Sequence, residues 1–149
     1  MNGNNTYIIE KAYNFAKKKY DAAGKLYNDR PYIVHPVKVS EVIGNLAYKD
    51  NNLRSAALLH DLLEDTSIAY EELVLEFNED IASLVREVTK DENNNFPNLK
   101  TERGLILKVA DRLVNVTALS GITDEKKRKK LFKKYSLYFI NEGSSLYER

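Results

Sequence analysis

The chain contains no cysteine. Disulfide scaffolds, thiolate metal sites and cysteine nucleophiles are excluded, and the composition fits a reducing compartment, with the cytoplasm as the expected location. No apolar run approaches the roughly 20 residues that cross a bilayer. Met1-Asn2-Gly3-Asn4-Asn5 lacks the charged-then-apolar layout of a secretion signal. Charge of one sign is missing too: 23 Lys and Arg stand against 22 Asp and Glu, a net +1. That balance argues against nucleic acid and against a membrane surface as partners. Histidine is scarce, with only His35 and His60. No alternating apolar-polar pattern lasts long enough to make a strand. What is present is 149 residues, 43% apolar and 30% charged, which suits one all-α domain around a single core.

Apolar periodicity predicts helices over Tyr7–Tyr20, from Val34-His35-Pro36 onward, from Leu53 to about Asp65, over Tyr70–Phe77 and Ile81–Thr89, from Thr101 to about Leu119, and from Asp124 to about Ile140. Thr6, Asp50-Asn51-Asn52 and Asn78 are the expected caps, Thr101 or a residue near it the start of the long helix, and Gly121 its stop. Asp21–Pro31 and Lys90–Leu99 read as loops, the run Lys126–Lys130 as a solvated face, and the chain from Gly143 as a loose tail.

Two stretches carry chemistry. Ala56-Ala57-Leu58-Leu59-His60-Asp61-Leu62-Leu63-Glu64-Asp65-Thr66 sets a His-Asp doublet four residues before a Glu-Asp doublet in an otherwise Ala and Leu run. On a continuous helix Glu64 would lie over His60 and Asp65 over Asp61, one edge of ionisable groups on an apolar helix. Burying that edge is costly unless something pairs it, and a divalent cation is the natural partner. The second stretch is Leu105–Val116, whose polar members Lys108, Asp111, Arg112 and Asn115 form a single stripe on an otherwise apolar helix. Such a helix is expected to be buried nearly all round, with its stripe facing the His60 segment.

His35, His60, Asp61 and Asp111 together would give two imidazoles and two carboxylates, a donor set suited to Mn²⁺, Fe²⁺ or Zn²⁺. Such an ion lowers the pKa of bound water from about 15.7 towards 7. Glu64 and Asp65 stand where they would move that water's proton or orient it. Lys25, Arg30, Lys108 and Arg112 would meet an anionic substrate. Each piece alone has a plainer reading: His35 as a core histidine, Asp111-Arg112 as an internal ion pair, Lys25 and Arg30 as solvated loop charges, and Tyr13, Tyr20 and Tyr32 as core or rim aromatics. The joint pattern is what favours a site.

Pro31-Tyr32-Ile33-Val34-His35-Pro36, then Leu58-Leu59-His60-Asp61-Leu62-Leu63-Glu64-Asp65-Thr66, then Lys108-Val109-Ala110-Asp111-Arg112-Leu113-Val114-Asn115, resembles the HD-domain (p)ppGpp hydrolases. That group takes in the hydrolase domain of RelA/SpoT proteins, the small alarmone hydrolases and the metazoan SpoT homologue. The likeness spans about residues 7–142. It implies an all-helical HD fold in which His35, His60, Asp61 and Asp111 hold one Mn²⁺ and Glu64 and Asp65 serve the attacking water. The implied reaction removes the 3′-pyrophosphate of ppGpp or pppGpp, giving GDP or GTP and pyrophosphate. Asn115 matches a position near the nucleoside, and Lys25 a basic position in the loop before His35. A length of 149 residues is expected to leave no room for a synthetase or regulatory domain. Some relatives are NADPH 2′-phosphatases, so another nucleotide is an alternative substrate, and a non-catalytic sensor is a third reading. The chain departs from the family at Gly24, often Arg there, and at Thr117-Ala118, usually Arg-Thr.

Overall fold

Tyr20, Ala16 and Ala12 recur every four residues on the first helix and are all fully buried, which is how an amphipathic helix meets a core. The computed structural model describes residues 6–46, 49–93, 95, 97–121, 125–127 and 129–130. Its elements in order are α1 (Thr6–Ala22), β1 (Leu26–Tyr27), β2 (Arg30–Pro31), α2 (Val34–Asn45), α3 (Asn51–Leu59), α4 (Leu62–Asp65), α5 (Tyr70–Glu76), α6 (Glu79–Glu87) and α7 (Glu102–Thr117), closed by a 3₁₀ turn over Ala118–Gly121. The expected all-α architecture holds. Thr6 is the first helical residue rather than a cap. The helix expected from Asp124 falls largely outside the described residues, as does the tail from Gly143, although Lys126, Lys127, Lys129 and Lys130 are exposed.

α3 is the central element, packed against α1, α2, α6 and α7. Leu53, Ala56, Ala57 and Leu59 are wholly buried on it. The small alanines admit neighbouring helices closely, and each buried leucine contributes about 1.5–3 kcal/mol. Three helix starts are set by local side chains: Asp50 accepts from the Leu53 amide at 3.0 Å, Asn78 from Ile81 at 2.8 Å and Thr101 from Gly104 at 3.0 Å. Pro36 sits in the first turn of α2, where a missing N–H costs nothing.

The segment Asp21–Pro31 is not simply a loop. α1 ends in a reversal at Gly24, whose φ of 69° is left-handed, with the Lys25 amide bonded back to the Tyr20 carbonyl at 3.2 Å. A Cβ is disfavoured at such a φ, which suits glycine to this position. A two-strand hairpin follows, pairing Leu26 with Pro31 and Tyr27 with Arg30. Its two-residue turn places Asn28 and Asp29 at φ 51° and 65°, as a type I′ turn requires.

Arg103 clamps three helices together. It reaches Asp50 through Nε at 2.8 Å and Nη2 at 3.1 Å, and Asp80 through Nη1 and Nη2 at 2.9 Å each. The hydrogen bonds from Arg103 hold the Asp80 carboxyl below its usual pKa, with Asn52 assisting. Arg103→Met should cost about 1–2 kcal/mol after discounting for solvent screening. A depressed folded pKa adds stability that is present above the unfolded value, about 4, and is lost as pH falls through the folded one. The melting-temperature gap between wild type and variant should therefore be wide at neutral pH and narrow below about pH 4. An equal gap at both would show that the clamp is not ionic.

Candidate metal centre and active site

The helix expected to run unbroken from Leu53 to Asp65 is split at its His-Asp doublet. α3 stops at Leu59, and Asp61 takes φ −99°, ψ 2°, outside the helical region. The cause lies in competing partners. In an unbroken helix the Ala57 carbonyl would accept the Asp61 amide. Instead it accepts from the His60 amide and from His60 Nδ1, while the Asp61 amide donates to the Tyr20 hydroxyl at 3.1 Å. The Tyr32 hydroxyl donates to Asp61 Oδ2. The break turns His60 into the core, while the Asp65 amide still bonds the Asp61 carbonyl at 2.9 Å, so Asp65 stays one turn beyond Asp61.

Around Asp111 the site closes. His35 Nε2 lies 2.7 Å from Asp111 Oδ1, and His60 Nε2 lies 3.2 Å from the same oxygen. Asp61 Oδ2 is 3.0 Å from His60 Nε2. Ligand atoms of His35, His60 and Asp111 all lie within 4.8 Å of one another. The four residues come from α2, the α3–α4 break and α7, and the two histidines are each 1% exposed.

The protonation pattern fits a cation. His60 Nδ1 donates to a carbonyl, so the Nε2 lone pair faces carboxylate oxygens. Lone pair against lone pair is repulsive unless positive charge stands between them. Burial opposes a charge on His60, yet Asp61 and Asp111 outweigh it and push its pKa well up. Burial would likewise raise Asp61 and Asp111, but His60 beside them holds both well below the carboxylate range. A proton here does what a divalent cation would do better, and the mixed N/O donor set suits such an ion. The second nitrogen of each ring shows how that ring is oriented. His60 is held by its carbonyl, as ligating histidines commonly are. His35 Nδ1 has no hydrogen-bond partner among the described residues; its ring is held by stacking on Tyr27, centroids 4.7 Å apart at 27°.

The remaining expected residues divide by position. Glu64 is exposed and accepts the Lys90 amide at 3.0 Å through Oε1. Asp65 lies 3.4 Å from Lys25 Nζ. Burial and the neighbouring Asp61 raise its pKa, while Lys25 partly counters them. A carboxyl so raised is suited to proton transfer. Glu64 and Asp65 line a cavity of about 510 Å³ shared with Thr89, Lys90, Asp91 and Glu92. The polar stripe on α7 is buried as expected, with Lys108, Asp111, Arg112 and Asn115 each at most 8% exposed. Lys108 donates to the Val88 carbonyl at 3.3 Å and stands 3.8 Å from Asp111 Oδ2, and Arg112 Nη1 is 3.5 Å from that oxygen. The helix is not buried all round: Val109 and Leu113 on its outer side are 39% and 45% exposed. Asn115 Oδ1 accepts from the Tyr27 hydroxyl at 2.8 Å.

Sequence reasoning passed over Tyr27 and took Tyr20 and Tyr32 for core or rim residues. All three support the cluster, Tyr20 and Tyr32 through Asp61 and Tyr27 through His35 and Asn115. Their rings also pack together, Tyr20 on Tyr32 at 4.8 Å and Tyr27 on Tyr32 at 6.0 Å. The tyrosine just before Ile33-Val34-His35 was the one available signal.

A helical domain thus brings two histidines and two carboxylates together in a donor set that suits a divalent cation. The chain belongs to the HD-domain family, whose model, described as "HD domain", matches residues 12–104. A relative in Aquifex aeolicus named guanosine-3′,5′-bis(diphosphate) 3′-pyrophosphohydrolase is 39% identical over 134 residues, covering 81% of this chain and 19% of that protein. The protein of that activity named MESH1 in Xenopus tropicalis is 32% identical over 132 residues, covering 79% of this chain and 73% of its own. The chain thus spans about a fifth of the length of the bacterial relative. A solved structure of a metazoan SpoT orthologue that hydrolyses ppGpp superposes with a TM-score of 0.70 at 23% identity, covering 91% of this chain and 96% of that one. The HD fold and the family membership implied by the motifs are both borne out. Among the described residues no helix is long and apolar enough to cross a membrane.

Proposed function

We propose that this chain is a metal-dependent phosphohydrolase that removes the 3′-pyrophosphate from (p)ppGpp, giving GDP or GTP and pyrophosphate. The observation that carries this reading is the convergence of His35, His60, Asp61 and Asp111 from three segments on one buried point. These four would hold Mn²⁺, which when bound supplies Lewis acidity, making water more acidic and offsetting phosphate charge. Glu64 orients the attacking water, and Asp65 accepts its proton. Water adds to the phosphorus nearest the ribose, the bond from that phosphorus to the 3′ oxygen breaks, and that oxygen takes up the proton Asp65 gives back, leaving as the 3′-hydroxyl. Lys25, 3.4 Å from Asp65, favours the charged carboxylate that can take the proton, and meets the departing pyrophosphate. Lys108 and Arg112 keep the Asp111 carboxylate ionised and aimed at the cluster. Asn115, held by Tyr27, faces the nucleoside.

The test is product analysis. Purified protein loaded with Mn²⁺ should release pyrophosphate from ppGpp and stop on chelation. Phosphate release from NADPH in its place would move the assignment to a 2′-phosphatase. Release from neither substrate would leave a binding protein.

A further inference from the structure

A second cavity adjoins the cluster through Tyr27 and shares no lining residue with the cavity at Glu64 and Asp65. It holds about 510 Å³ and lies between the hairpin, α2 and the C-terminal end of α7, lined by Tyr27, Arg30, Val34, Lys38, Val114 and Ala118. Tyr27 joins it to the cluster, since the same side chain stacks on His35 and bonds Asn115. The two cavities differ in charge. Glu64, Asp65, Asp91 and Glu92 line the first beside Lys90, whereas among the described residues no carboxylate lines the second and two cations do. Arg30 and Lys38 are both exposed, and neither makes an ion pair or a side-chain hydrogen bond among the described residues. Register brings them together: Arg30 sits on β2 opposite Tyr27, and Lys38 one turn beyond Val34 on α2. The α7 terminus is the electronegative end of a helix and disfavours an anion. Thr117 Oγ1 already covers the Val114 carbonyl there at 2.9 Å. A phosphate entering this cavity therefore settles on the Arg30 and Lys38 side, and the apolar and aromatic walls suit the nucleoside attached to it.

We propose that Arg30 and Lys38 form a subsite for the 5′-phosphates of the nucleotide whose 3′ end lies at the cluster, making them the residues that select a substrate phosphorylated at both ends. This rests on the hydrolase reading, and the experiment separates the two. Pyrophosphate release is followed from ppGpp and from guanosine 3′-diphosphate, which has a free 5′-hydroxyl, using wild type and the double variant Arg30→Gln, Lys38→Gln. In parallel, calorimetry compares GDP with guanosine as ligands of the same two proteins. Wild type should favour ppGpp by about tenfold or more in kcat/KM, as two charge-assisted contacts allow. In the double variant that ratio should fall towards one, mainly through KM, and the preference for GDP over guanosine should fall with it. Arg30→Lys, which keeps the charge, should retain most of the ratio. Unchanged ratios in the double variant with pyrophosphate still released would overturn the subsite and leave the hydrolase reading standing. Absence of pyrophosphate release, with a GDP preference that the double variant loses, would remove the hydrolase reading and keep the subsite. A wild type that binds GDP and guanosine equally would overturn the subsite outright.

Discussion

His60→Ala should lose its metal and its turnover together. Removing the imidazole deletes a ligand atom that stands 3.2 Å from Asp111 and 3.0 Å from Asp61. It also leaves two buried carboxylates without their neighbouring positive partner, a loss that costs about 3–5 kcal/mol in comparable buried pairs. In wild type, Mn²⁺ at about 100 times its dissociation constant should stabilise the fold by about 2.7 kcal/mol. For a chain of this size that is a rise of roughly 5–10 °C in melting temperature. The variant should show no such rise, and kcat should fall at least about a thousandfold, since several kcal/mol of charge stabilisation at the phosphorus is gone. If His60→Ala folds too poorly to assay, Asp111→Asn keeps the side-chain volume and should give the same paired loss. A variant that keeps full metal content while losing activity would show that His60 is not a ligand.

Why this site could be read before the fold, and where the reading stopped, comes down to the distance over which each residue is controlled. The caps at Asp50 and Asn78 bond amides three residues away, so their effect is local and visible in the chain, and Thr101, expected only to stand near a helix start, does the same. The polar stripe of α7 needs only helical periodicity, and its burial follows from being polar where a surface helix would be apolar. The break at His60-Asp61 is different. Its local sequence is Ala- and Leu-rich and favours an unbroken helix. What overrides that preference is Tyr20, 41 residues earlier, and Tyr32, 29 residues earlier. Tyr27 acts on Asn115 across 88 residues, and nothing near either residue announces it. The hairpin lies between these cases: Asn28-Asp29 is a recognisable I′ pair, but strands of two residues leave no alternation to detect. The outer face of α7 breaks the inside-outside pattern from the other side, since Val109 and Leu113 are apolar yet partly exposed. Local chemistry thus announced the ligand types, and long-range tyrosine contacts set their aim.

Glu64→Gln separates water handling from metal binding, because Glu64 contacts none of the four cluster residues. Its Oε1 accepts the Lys90 amide at 3.0 Å, and a glutamine oxygen can accept the same bond, so the turn and the loop after α6 should keep their places. Metal content and the Mn²⁺-dependent rise in melting temperature should match wild type. Turnover should nevertheless fall by about 10²–10⁴, the span that a positioned acid or base contributes. Asp65→Asn should fall within the same range, and it also frees Lys25 from its partner at 3.4 Å. The double variant is the sharper measurement. If both carboxylates serve one water, removing the second should cost far less than removing the first, as in catalytic groups that act as a unit. Losses that simply multiply would mean two independent tasks, whereas a Glu64→Gln variant with wild-type turnover would leave Glu64 no more than a structural tie to Lys90.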